Sequence, residues 1–92
     1  MNSQLQIDKE CYVCRTTRNL HRHHIFAGNA NRQLSERFGY WVYLCAYHHN
    51  ASLWGVHFNK DLDLALKRTA QRVWEKTCSR EEFIRTFGKS YL

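Results

Sequence analysis

The chain has 92 residues, no proline and a formal charge of +6 with its six histidines counted as neutral. This length makes one domain near the lower end of what a single hydrophobic core sustains, a size at which a bound metal often supplies missing stability. No apolar run approaches the ~20 residues of a bilayer span, the N-terminal MNSQLQIDKE lacks a secretory apolar core, and the positive charge favours an anionic partner, nucleic acid or a phosphate-rich surface, over an acidic small molecule.

Residues 1–10 are polar and read as an unanchored, flexible tail, and residues 11–92 as a single domain. Every histidine, and every cysteine except Cys78, falls between residues 11 and 57. The span 20–26 reads as a short strand running into the turn signal Ala27, Gly28, Asn29, and 32–38 as one or two helical turns ended by Gly39. Residues 40–44 are aromatic and β-branched, which predicts a second strand that gives way to a helix near Cys45 to His49. From Asn59, a plausible N-cap, the period becomes helical: Leu62, Ala65, Leu66, Thr69, Ala70, Val73 and Trp74 form one stripe. Ser79 followed by Glu82 has the form of a capping box for a last helix that stops at Gly88. The expected class is α+β, with residues 59–92 supplying an apolar helical cover for the metal-rich part, 11–58.

Cys11 and Cys14 form one x2-spaced knuckle, and Cys45 and His48 another. In a reducing cytosol such a pair reads as a metal knuckle before it reads as a disulfide. Three thiolates and one imidazole make a closed tetrahedral zinc set. Cys78 stands alone and receives no role. Strand alternation sends His21 and His23 to one face and His24 to the other, so His23 and His24 have different tasks. His49, next to a residue already turned toward zinc, points elsewhere and can meet His23.

The order Cys-x2-Cys, His23-His24-Ile25, then Leu44-Cys45-Ala46-Tyr47-His48-His49 resembles the HNH endonucleases, ββα-metal enzymes, in the subset with a structural zinc between two knuckles. The likeness covers roughly 11–58, and Gly55-Val56-His57-Phe58 before a long helix looks like the small HNH proteins of phages and prophages. The resemblance implies a ββα-metal core, a catalytic divalent ion (Mg2+, Mn2+ or Ni2+) held by His23 and His49, and His24 as general base. His57 is then either a third ligand or a residue that contacts phosphate, and His21 is structural or a DNA contact. The asparagine that gives the family its middle letter is replaced here by Tyr40, with Asn29 and Asn31 nearby in the loop. A divalent ion held by few imidazoles keeps open positions for a phosphate oxygen and the leaving oxygen, and a neutral histidine beside it can take a proton from water.

Arg22, Arg32 and Arg37 lie next to this chemistry in sequence and are the expected nucleic-acid contacts. Arg15 and Arg18, and Lys60, Lys67, Arg68 and Arg72 on or beside the long helix, add to the positive surface. The expected activity is metal-dependent hydrolysis of phosphodiesters in duplex DNA, with weak sequence preference and targeting aided by a partner protein or a homodimer. The expected setting is bacterial cytoplasm, with a phage origin possible. The competing readings are a non-catalytic zinc-stabilised nucleic-acid-binding module and a zinc-dependent protein adaptor.

Overall fold

Two five-residue strands, β1 (Leu20–His24) and β2 (Trp41–Cys45), pair antiparallel with His23 opposite Val42 and His24 opposite Trp41. A computed structural model describes residues 1–50, 52 and 54–92. The strands are joined through α1 (Asn29–Phe38), and β2 runs directly into the single-turn α2 (Ala46–His49). Two further helices follow, α3 (Lys60–Trp74) and α4 (Arg80–Phe87), so the described residues make a small α+β protein with one two-stranded sheet. Among the described residues no helix is long and apolar enough to cross a membrane.

Local chemistry sets these boundaries. β1 ends at His24, two residues earlier than the apolar pattern suggests, because the pairing is only half continued beyond it. Ile25 N–H still reaches the Tyr40 carbonyl opposite at 3.0 Å, but Tyr40 N–H turns back to the Ser35 carbonyl at 2.8 Å, and Phe26 N–H goes to Ser35 Oγ at 3.1 Å. α1 is longer than expected and ends at Gly39, whose φ of 76° is left-handed. A Cβ on Gly39 would also lie 2.3 Å from the Asn2 carbonyl, so both conformation and space require glycine there. The Asn59 side chain accepts from Leu62 N–H at 3.2 Å and Ser79 Oγ accepts from Glu82 N–H at 3.1 Å, starting α3 and α4 where the capping signals place them.

The core lies between the sheet and the last two helices. Val42 and Leu44 are fully buried from β2; Leu66, Ala70 and Trp74 meet them from α3, although Ala65 of the same stripe faces solvent. Phe26 sits 4.5 Å from Phe87 and 5.5 Å from Phe83 between ring centroids, so α4 closes over the segment that follows β1. Gln71 is fully buried and satisfied: Oε1 accepts from Tyr91 N–H at 2.7 Å, and Nε2 donates to Ser90 Oγ and Glu75 Oε2, which fastens the C-terminal residues to α3.

Residues 1–10 form no helix or strand, yet they are not the unanchored tail the composition suggests. Gln6 Oε1 accepts from Tyr43 N–H at 2.9 Å, the Trp41 indole donates to the Met1 carbonyl at 3.1 Å, and Gln4 N–H reaches the Gly39 carbonyl at 2.8 Å. The free edge of β2 leaves backbone groups without ladder partners, and the N-terminal segment satisfies them.

Candidate functional site

The first knuckle is a tight turn closed by Arg15 N–H to the Cys11 carbonyl at 2.8 Å, and Tyr12 N–H straps it to the Tyr43 carbonyl of β2 at 2.8 Å. The second knuckle is the junction of β2 and α2. Together they bring Cys11, Cys14, Cys45 and His48 into one cluster. Cys14 Sγ is 3.8 Å from Cys45 Sγ, and His48 Nδ1 is 3.7 Å from Cys11 Sγ and 3.3 Å from Cys45 Sγ. A tetrahedral zinc with sulfur at about 2.3 Å and nitrogen at about 2.0 Å has edges of roughly 3.5–3.8 Å, so this cluster can hold zinc. The sulfurs are not bridged. Burial by itself would push the Cys11 thiol up, but backbone N–H groups of Cys14, Cys45 and Val13 converge on it and hold it down at about 6, whereas burial pushes the neighbouring Cys45 thiol up. Cys78 is exposed and far from the cluster in the chain, and no role emerges for it.

The second cluster is His23, His49 and His57. His23 projects from the buried face of β1 and is only 7% exposed; its Nε2 is the one fully buried side-chain nitrogen or oxygen among the described residues without a hydrogen-bond partner. Such an atom is costly unless something meets it. His49 Nε2 and His57 Nε2 are 3.0 Å apart, close to the separation of about 3.0–3.3 Å for two imidazole nitrogens on one ion. Burial first, then the neighbouring imidazoles, lowers His23 to about 3 and His49 to about 4. Both are therefore neutral at ordinary pH, the form in which imidazole binds metal. His21, from the same face of β1, has Nδ1 2.9 Å from His49 Nδ1. A His49 that donates from Nδ1 to His21 presents a lone pair at Nε2, toward the cluster. The donor set, the spacing and the orphaned His23 nitrogen all fit a divalent metal.

His57 reaches the cluster through a close turn. Val56 N–H bonds the His48 carbonyl at 2.8 Å and His57 N–H bonds the His49 carbonyl at 3.2 Å, folding the chain back onto α2. Gly55 makes this approach possible, since a Cβ there would stand 2.7 Å from the His49 carbonyl oxygen.

His24 takes the opposite face of β1, half-buried, with Nε2 2.6 Å from Glu36 Oε2 on α1. Arg22, on the same face, holds the other carboxylate oxygen, and its guanidinium lies 3.7 Å over the Trp41 ring. The His24 hydrogen bond, with Arg22 behind it, keeps the Glu36 carboxyl below the usual carboxylate range. His23, His24, His49 and His57 all border one cleft of about 370 Å3, together with Arg22 and the exposed Arg32. Asp63 of α3 also borders it, engaged by Lys67 at 2.9 Å.

Thus the residues expected at the second site share one cleft, except Arg37, which is exposed on α1 with its guanidinium 5.6 Å over the Phe38 ring. Arg22 borders the cleft but is already engaged by Glu36. Tyr40, where an asparagine was anticipated, turns its ring into the core beside Phe26 and Trp74. Asn31 is spent on α4, donating to the Phe87 carbonyl at 3.3 Å, while Asn29 borders the cleft. Glu36 and Ser35 were not legible as site residues: a Ser-Glu pair inside a polar helix has no distinguishing pattern.

No protein-family model matches the chain, and no curated protein or solved structure matches it significantly.

Proposed function

We propose that the protein is a metal-dependent DNA endonuclease with an HNH-like ββα-metal core. The observation that carries this reading is the single basic cleft shared by a three-imidazole cluster and a fourth histidine, His24, that faces away from the cluster along β1. His23, His49 and His57 are the residues that would hold the catalytic ion, and the knuckle cluster is the structural zinc site. When bound, such an ion supplies Lewis-acid stabilisation of the charge that develops on a scissile phosphate and its leaving oxygen.

The chain's own residues do the rest. Arg32, exposed at the rim, offers a phosphate contact without base specificity. A water in the cleft attacks phosphorus in line with the 3′ oxygen while His24 accepts the water proton; the bond from phosphorus to the 3′ oxygen breaks, and that oxygen takes a proton from solvent. Among the described residues the cleft presents no element that reads bases, so cleavage of duplex DNA with weak sequence preference is expected.

The competing class is a zinc-stabilised module that binds nucleic acid without turnover, supported by Tyr40 at the asparagine position. A module of that kind has no use for three converging imidazoles with a desolvated, unpartnered His23 nitrogen. The deciding experiment is nicking of supercoiled plasmid by chelator-treated protein resupplied with Mg2+, Mn2+ or Ni2+. Metal-dependent nicking that falls by about 100-fold or more in zinc-loaded His24→Ala supports the nuclease. Retained DNA binding with no cleavage under any ion overturns it in favour of the module.

A further inference from the structure

We propose that Glu36 is the positioning residue of His24, fixing both the tautomer and the aim of its imidazole, with the neighbouring Ser35 fixing the backbone beneath it. The proposal deepens the reading of His24 as the base and rests on that reading.

The argument begins with donors and acceptors. An ionised carboxylate can only accept, so the 2.6 Å contact between Glu36 Oε2 and His24 Nε2 requires the hydrogen to sit on Nε2. A neutral His24 then carries its lone pair at Nδ1, the atom that can take a proton from water. The carboxylate cannot swing freely, because its other oxygen is held by Arg22, and Arg22 is stacked 3.7 Å over the Trp41 ring on the adjacent strand.

The backbone is held from the same turn of α1. Ser35 is fully buried, and its Oγ accepts from Phe26 N–H at 3.1 Å and donates to the Phe26 carbonyl at 3.2 Å, two residues beyond His24. Consecutive residues of α1 thus grip the base-bearing segment at the main chain and at the ring. A merely structural ion pair does not account for this arrangement: the Glu36 side chain is 42% exposed, and pairs that open to water add little to stability. Its specific contribution is directional. Once His24 has taken a proton, the same carboxylate faces the imidazolium.

Two measurements on the full-length, zinc-loaded protein test this. The first reads the His24 tautomer by nitrogen-15 NMR of the imidazole at about pH 8, above the ordinary histidine range. The expected result is a hydrogen on Nε2 in the wild type and a mixture of both tautomers in Glu36→Ala. A wild-type Nδ1 hydrogen, or no change in the variant, overturns the proposal. The second is plasmid nicking: Glu36→Ala should lower kcat by about tenfold or more, a part of what a general base supplies, with KM, melting temperature and metal content unchanged. Glu36→Gln, whose amide oxygen still accepts from Nε2, should recover part of that loss. A kcat equal to wild type in Glu36→Ala overturns the proposal. Inactivity of the wild type with an intact Nε2 hydrogen instead overturns the base reading and leaves Glu36 as the residue that sets the His24 tautomer.

Discussion

Nε2 of His49 lies 3.0 Å from Nε2 of His57, two residues eight positions apart that face each other because the chain turns back at Gly55. The turn leaves no room for a side chain. In Gly55→Ala the new Cβ would press on the His49 carbonyl oxygen at 2.7 Å, and relief of such overpacking costs about 1–3 kcal/mol. The expected outcome is a fall of about tenfold or more in affinity for the second ion, with zinc content unchanged, read by calorimetric titration of the zinc-loaded protein.

Cys45→Ser should remove the first site and much of the fold with it. Structural zinc contributes about 10–16 kcal/mol in small zinc domains, comparable to the whole stability of a domain, about 5–15 kcal/mol. Thermal melting followed by circular dichroism should lose its cooperative transition, and addition of a strong chelator to the wild type should reproduce that curve.

Arg32→Ala should weaken DNA binding uniformly across sequences. Loss of one phosphate contact reduces the slope of log affinity against log salt by about 0.9. Titrations of a short duplex at several salt concentrations read that slope directly; Arg37→Ala, away from the cleft, should leave it unchanged.

Tyr40 gives an alkaline signature. Burial pushes its phenol from 10.0 up to about 12. The unfolded chain releases this proton at the lower pH and the folded chain at the higher, so the contribution is fully present below pH 10 and is lost as pH rises toward 12. Two pH units correspond to at most about 2.7 kcal/mol. Urea midpoints measured across that range should fall further for the wild type than for Tyr40→Phe.

Most of this arrangement is visible in the amino-acid order, and the reason is local chemistry. The x2 knuckles set Cys11, Cys14, Cys45 and His48 side by side, and the period of β1 separates His23 from His24. Asn59 and Ser79 mark helix starts with side chains that satisfy free N–H groups. The rest of the site depends on partners distant in sequence. Glu36 matters because α1 folds over β1, Ser35 because Phe26 leaves the ladder beside it, and Gln6 because β2 has an open edge. None of these residue types is unusual where it stands. α1 begins at Asn29, before the pattern predicts it, because its first turn carries asparagine and alanine with no side-chain cap to mark the start.

His48 and His49 are consecutive residues of the four-residue α2, one turned to the zinc cluster and the other to the imidazole cluster. If both clusters hold ions as proposed, their occupancies are expected to be linked. Zinc at the knuckles would fix the turn that carries His49 and lower the entropic cost of gathering the three imidazoles, and by reciprocity an ion on those imidazoles would tighten the hold on zinc. A chelator that strips the knuckles is then expected to weaken metal binding at the imidazoles as well.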